Sequence, residues 1–314
     1  MLSIIIVNYR SWDHLSNCLH SLELVSDLEV IVVDNDSADG KIEEFKTSFP
    51  KVNFIDAKQN LGFGAACNLG AKHAKANYLL FLNPDTVANK TSILEMKDFL
   101  QKNEPYKIVS CKQTKNIKGH FLLFPNLYRM FGLLRAIEVF FSKKKFETKS
   151  INGIRFIEPD WVSGSVLMTS KAWLNEIGGW SKEFWMYSED LEICKKTADK
   201  NGKMALLTEF EIYHKHGGST RKNIVTAAIT KAEVIKSKHV YIDKHFNDSE
   251  KYFAHSILVF SFFFFKMPLA ILGLIFFFIP KMRLQTEIFK KLFNHYLDVL
   301  RNGSWLSDRL IKIS

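Results

Sequence analysis

Cysteine is scarce in this chain of 314 residues: Cys18, Cys67, Cys111 and Cys194 are scattered, with no CxxC pair and no metal-ligand spacing. A disulfide framework is thereby excluded, and the four read as reduced thiols of a cytosolic protein. Met1 to Val7 lack a basic n-region, and their apolar run is shorter than a signal peptide needs, so export is not expected. No nucleic-acid-binding motif is present, which leaves that class of partner resting on charge alone. Acidic residues are in deficit, 33 against 43 Lys plus Arg, for a net charge of +10. Partners of negative charge, such as nucleotides or anionic headgroups, follow from that balance. With 47% hydrophobic and 24% charged residues the chain is globular, long enough for one large domain with an appendage or for two modest domains.

Phenylalanine is plentiful at 27 residues, and much of it lies in one stretch. Residues 252 to 280 form two apolar runs parted by Lys266, with Pro268 just beyond. Each run is shorter than the roughly 20 residues a spanning helix requires. Lys281, Arg283, Lys290, Lys291, Arg301, Arg309 and Lys312 follow the stretch, and Lys231, Lys236, Lys238, Lys244 and Lys251 precede it. Positive charge on both flanks argues against a single crossing. The expectation is a re-entrant or interfacial hairpin kinked at Pro268, both ends cytoplasmic, with one tilted span or a homodimer packing element as alternatives. The chain is expected to divide into a body, 1–245, and a membrane-associating helical tail, 246–314.

Within the body, SIIIVN (3–8), EVIVVD (29–34), a segment near 52–56 and YLLFLN (78–83) read as strands, with amphipathic helical spacing between them. Such alternation predicts an α/β fold with a mostly parallel sheet covered on both faces. Ligands of these sheets bind beyond the carboxyl ends of the strands. The polar residues at those ends are Asn8 and Tyr9, Asp34, and Asn83 with Asp85. Residues 112 to 150 mix basic and aromatic side chains and predict loops with a basic amphipathic helix.

Several candidates carry two readings each. Asp34 either accepts hydrogen bonds from a base or ribose, or caps its own turn. NLGFGAACNLG (60–70) has the first two glycines of a dinucleotide fingerprint, but Cys67 stands where the third belongs and the acidic strand end precedes it, contrary to that motif. It reads as a turn bringing Asn60 and Asn68 close to a ligand, or as a structural turn. Asp85, presented by Pro84, is placed to hold Mg²⁺ or Mn²⁺, or is an ordinary turn residue. Glu189 and Asp190 open a helix after an aromatic run, either as caps or as a sugar-binding wall with a general base. His214 is a further metal-ligand candidate, or a packed histidine.

Taken in order, SIIIVNY, VVDNDSADG, NLGFGAACNLG, LLFLNPDT, PDWVSGSVLMTS, FWMYSEDLEIC and HKHGGS resemble the family 2 glycosyltransferases, in particular their rhamnosyltransferase-like branch. The resemblance runs from about residue 2 to 225. It implies a GT-A fold, with a Rossmann-like nucleotide-binding half fused to an acceptor half. It also implies an inverting, metal-dependent hexosyltransferase that builds bacterial surface polysaccharide such as O-antigen at the cytoplasmic face of the cell membrane. The donor would be dTDP-rhamnose, the acceptor a polyprenyl-diphosphate-linked glycan. A UDP-linked galactofuranose, hexose or N-acetylhexosamine is the alternative donor, and a non-catalytic nucleotide-sugar-binding scaffold the alternative class. Residue by residue, Tyr9, Asp34, Asn60, Gly62, Phe63, Asn68 and Asn83 would form the nucleotide-sugar pocket. Trp161, Gly164, Ser165 and Glu189 would line the sugar and acceptor site, Asp190 would be the base, and Asp85 with His214, from HxxGxS, would hold Mg²⁺ or Mn²⁺. Asn83 stands where many relatives have the first Asp of DxD, and Glu192 where relatives often have Asp.

Overall fold

The computed structural model describes residues 1–22, 28–113, 123–125, 146–215 and 223–311. Two compact units emerge. The first takes in Met1–Phe124, Val139–Lys182 and Glu189–Ser219, and the second Pro125–Glu138, Glu183–Ser188 and Thr220–Ser314. The basic and aromatic stretch expected as a helix between 112 and 150 lies mostly outside the described residues, as does His216.

The first unit is built on one sheet. Its strands are β1 (Leu2–Asn8), β2 (Leu28–Asp34), β3 (Asn53–Asp56), β4 (Tyr78–Leu82), β5 (Thr86–Val87), β6 (Tyr106–Gln113), β7 (Lys149–Ile151), β8 (Ile154–Ile157), β9 (Val166–Ser170) and β10 (Lys203–His214). The main path is β3-β2-β1-β4-β9-β6-β10-β8-β7, with β5 paired to the end of β10. Leu2, Ile4 and Ile6 of β1 pack on one face and Ile5 and Val7 on the other, as the two-residue period of a strand requires. The first face is covered by α1 (Trp12–Leu22) and α4 (Lys90–Lys102), the second by α3 (Phe63–His73) and α6 (Glu189–Asp199). α2 (Lys41–Ser48) and α5 (Lys171–Glu176) complete the described helices of this unit.

The alternation of the first half yields the expected parallel ladder of β3, β2, β1 and β4. The other half is mixed, because β9 runs antiparallel to both β4 and β6. Its chain enters from the loop at 163–165, already at the carboxyl edge of β4 and β6, and can only return. β10 runs parallel to β6 and reaches His214. The carboxyl ends of β1, β2, β4, β6 and β10 and the start of β9 therefore share one edge of the sheet.

The second unit contains α7 (Ile224–His245), α8 (Asp248–Ser261), a π turn (Phe262–Lys266), α9 (Met267–Ile275), α10 (Pro280–Asn302) and α11 (Asp308–Ile311). α7 packs against α10, so the division expected at residue 245 falls between two helices of this unit. Lys266 and Pro268 do not part the apolar stretch: Asp248–Ile275 is one continuous helix, long and apolar enough to cross a membrane. Proline lacks the N–H that would close an α-turn, and the wider π turn, with Met267 N–H bonded to Phe262 O, absorbs it. Reversal of the chain comes later, at 276–279, after which α10 returns along α9. There Thr286 donates to the Ala270 carbonyl at 3.0 Å, beside Gly273.

Candidate active site

At the end of β1 and β2, Asp34 is buried and accepts from Asn8 Nδ2 (3.1 Å), Ser37 Oγ (2.5 Å) and the Ser37 N–H (3.1 Å). Burial raises its carboxyl above the usual range, against the lowering effect of those donors. The turn-capping reading of Asp34 is thus realised. Arg10 is tied to the same turn through Ser37, and its guanidinium lies 5.3 Å from the centre of the exposed Tyr9 ring.

Asn35, which the motifs did not single out, joins this turn to the next. Its side chain donates to Asn60 Oδ1 and the Gly62 carbonyl, both at 3.3 Å, and accepts from the Leu61 N–H at 2.8 Å. Gly62 has φ 80°, a left-handed value that only glycine adopts without strain, and it caps α3. Phe63 meets the buried Trp180 edge-on at 5.7 Å. Asn68 behaves differently from a pocket amide, since both ends of its side chain are bonded to the Trp180 backbone. Trp180 is a second residue without a motif, and it packs edge-on against Phe81 at 5.0 Å.

Beyond β4, the Asn83 N–H donates to the Ser165 carbonyl at 3.0 Å, and Asn83 O accepts from Thr86 Oγ1 at 2.7 Å. Thr86 and Val87 pair with His214 and Tyr213, and the Lys215 N–H donates to the Asp85 carbonyl. This ladder brings the two metal-ligand candidates together. His214 Nε2 lies 3.1 Å from Asp85 Oδ1, and both side chains are buried. The pair is within ion-pair distance but not aligned as a hydrogen bond, so Asp85 Oδ1 is a buried oxygen without a hydrogen-bond partner. A carboxylate oxygen in that state beside an imidazole nitrogen suits Mg²⁺ or Mn²⁺, which bind through one or two side chains and take their remaining ligands from substrate and water. Among the described residues no group of three or more such ligands exists.

On the neighbouring loop, Ser163 Oγ and Ser165 Oγ are 2.8 Å apart, and Ser165 Oγ donates to Gln113 Oε1 at 2.5 Å. Gln113 Oε1 also lies 3.1 Å from His214 Nδ1. Gln113 is the third residue that sequence reasoning missed. Trp161 packs partly buried against the core. Gly164 permits a close approach: a Cβ there would lie 3.2 Å from both Asp190 Cβ and the Trp180 ring.

The Gly164 N–H donates to Asp190 Oδ2 at 3.2 Å, and the Leu191 N–H to Oδ1 at 2.9 Å. Burial raises the Asp190 carboxyl, and these two N–H groups hold it back. Glu189 has only its own backbone hydrogen bond to lower it. It is buried, its Oε2 has no hydrogen-bond partner, and burial followed by the charge of Asp190 pushes it up to about 8. Burial and the neighbouring carboxylate thus favour the protonated form of Glu189.

The sheet edge thus joins Asp190, the 163–165 loop, Gln113, His214 and Asp85 in one continuous set of contacts. Among solved structures, S. aureus TarS (residues 1–349, in complex with UDP) aligns with TM-score 0.51 and 15% identity over 96% of this chain and 92% of that one. GalNAc-T7 with UDP, GalNAc and Mn²⁺ aligns with TM-score 0.52 and 15% identity over 68% and 43%. The fold is GT-A. Among curated proteins, the low-salt glycan biosynthesis hexosyltransferase Agl10 of Haloferax volcanii is 29% identical over 64% of this chain and 62% of that protein, less than two thirds of its length. The N-acetylglucosaminyl-diphospho-decaprenol L-rhamnosyltransferase of Mycobacterium tuberculosis is 24% identical over 78% and 85%, and rhamnosyltransferase WbbL of Escherichia coli 21% over 68% and 83%. Residues 3–158 match the Glycosyl transferase family 2 model, and the chain belongs to that family.

Proposed function

We propose that this glycosyltransferase moves L-rhamnose from dTDP-rhamnose onto a polyprenyl-diphosphate-linked glycan at the cytoplasmic face of the membrane, inverting the anomeric centre. The observation that carries the reading is the placement of Asp190 on the contact set that ends in the Asp85–His214 pair. The two rhamnosyltransferase relatives, one of them named for a decaprenol-diphosphate acceptor, support the donor sugar and the acceptor class.

In this mechanism Asp190 takes the proton of an acceptor hydroxyl. The oxygen bonds to the anomeric carbon as the bond from that carbon to the diphosphate oxygen breaks. The N–H groups of Gly164 and Leu191 orient the two carboxylate oxygens. General-base help of this kind contributes about 10²–10⁴-fold. Asp85 and His214 would hold a divalent cation, whose chemistry is to offset charge on a departing diphosphate. Asn8, Asp34 and the Asn35–Asn60–Gly62 turn shape the edge where a base and ribose would lie.

The second unit supports membrane attachment. Phe260, Phe264, Leu274, Ile275, Phe277 and Phe278 are all more than 60% exposed, an apolar surface far larger than scattered exposed side chains would make. Lys281, Arg283, Lys290 and Lys291 on α10 suit anionic headgroups. A hairpin lying in the interface accommodates both features.

A donor screen with the purified full chain tests the function: dTDP-rhamnose against UDP-galactofuranose, UDP-glucose and UDP-N-acetylglucosamine, each with a polyprenyl-diphosphate-linked acceptor and Mn²⁺. Transfer from dTDP-rhamnose is expected. Transfer from a UDP-sugar alone overturns the donor assignment, and no glycosyl transfer or donor hydrolysis with any of them overturns catalysis itself.

A further inference from the structure

Gln113 lies at the end of β6, where its register places it beside Ile212 of β10, two residues before His214. Its side-chain oxygen is shared between two buried groups that come from different parts of the chain. Ser165 Oγ approaches it at 2.5 Å and His214 Nδ1 at 3.1 Å. An amide oxygen has two lone pairs and can accept from both at once.

The direction of these bonds is set along the loop. Ser165 gives its proton to Gln113 Oε1, so the 2.8 Å contact between the two serine hydroxyls is filled by the proton of Ser163. An oxygen that already accepts from Ser165 can meet His214 Nδ1 favourably only if that nitrogen also carries a proton. A neutral imidazole protonated at Nδ1 has its lone pair on Nε2. That lone pair then faces Asp85 Oδ1 at 3.1 Å, with no hydrogen bond between them. Two acceptors held this close inside the protein repel each other unless positive charge lies between them.

We propose that Gln113 is a positioning residue: by accepting from His214 Nδ1 it fixes the histidine tautomer and ring direction that present Nε2, with Asp85, to a divalent cation, and through Ser165 it ties that cation site to the loop contacting Asp190. This rests on the metal-site reading given under Proposed function and adds to it a residue outside every motif. Partners of this kind on the far side of a ligating histidine commonly contribute 10–100-fold to metal affinity.

Two measurements on the full-length protein test it. Nitrogen-15 NMR of histidine-labelled protein without metal reads the tautomer of His214 directly, its signals assigned by their loss in His214→Gln. Nδ1–H is expected, whereas Nε2–H, with the Gln113 amide turned round, overturns the proposal without requiring any Gln113 variant to fold. Free Mn²⁺ in the presence of dTDP, followed by electron paramagnetic resonance, then compares variants. Gln113→Leu is expected to weaken Mn²⁺ binding by about 10–100-fold, while Gln113→Glu, still an acceptor, binds no more weakly than the wild type. If Asp85→Asn abolishes Mn²⁺ binding but Gln113→Leu leaves it unchanged, the role of Gln113 falls and the metal site stands. If Asp85→Asn changes nothing, the metal site falls and this inference with it.

Discussion

Asn68 holds the backbone of Trp180 at both polar groups, its Nδ2 donating to the Trp180 carbonyl at 2.8 Å and its Oδ1 accepting the Trp180 N–H at 2.9 Å. An amide that resembles a nucleotide contact in sequence thus joins α3 to a segment 112 residues away. Asn68→Ala strands both backbone groups, each costing about 1–3 kcal/mol where water cannot replace the bond. A fall of roughly 5–10 °C in melting temperature is expected, with the donor KM of the surviving folded enzyme little changed. A raised donor KM at unchanged melting temperature would restore Asn68 to the pocket.

Asp190→Asn keeps the size of the side chain and one oxygen to accept from the Gly164 or the Leu191 N–H, but removes the proton acceptor. Turnover is expected to fall about 10²–10⁴-fold with donor affinity nearly intact, as read by single-turnover kinetics and equilibrium binding. Near-normal turnover would show that another group takes the proton.

Glu189 gives stability a pH dependence of known sign. Its carboxyl lies near 4.5 when unfolded and at about 8 when folded, so the folded state favours the protonated form. The contribution of this group is whole below pH 4.5 and is lost as pH rises toward 8. Glu189→Gln does not titrate. Its melting temperature relative to the wild type should therefore climb by a few degrees between pH 5 and pH 8. A difference independent of pH would contradict the burial of Glu189 with its Oε2 unpartnered.

Phe276, Phe277 and Phe278 form the exposed turn between α9 and α10. Changing all three to Ser should reduce partitioning onto vesicles of phosphatidylglycerol and phosphatidylethanolamine by at least about tenfold, since each buried Phe contributes about 1.5–3 kcal/mol. Vesicle flotation measures this, and unchanged flotation would place the lipid contact elsewhere.

Much of the site was legible because a parallel sheet sends its polar residues to one edge. Asn8, Asp34, Asn83 and Asp85 announce themselves by ending apolar runs, and Gly62 by its turn. Gln113 also ends such a run, but a lone glutamine without a neighbouring motif carries no signal until β10 places His214 beside it. The reversed direction of β9 was hidden because a doubly buried strand reads the same either way. The bonds of Asn68 to Trp180 gave no signal in the sequence because its partner there is backbone, which any sequence supplies. In the tail, Pro268 is an ordinary stop signal in sequence, and only the π turn before it reveals that the helix continues.

The two-residue ladder between β5 and the end of β10 holds its strands by main-chain bonds, which exist whatever side chains the adjoining positions carry. Positions 85 and 214 would thus stay neighbours under substitution, leaving the cradle in place while its chemistry is exchanged. Thiolate or imidazole donors introduced there would shift preference from hard ions toward softer ones, a route to retuning the catalyst without redesigning its scaffold.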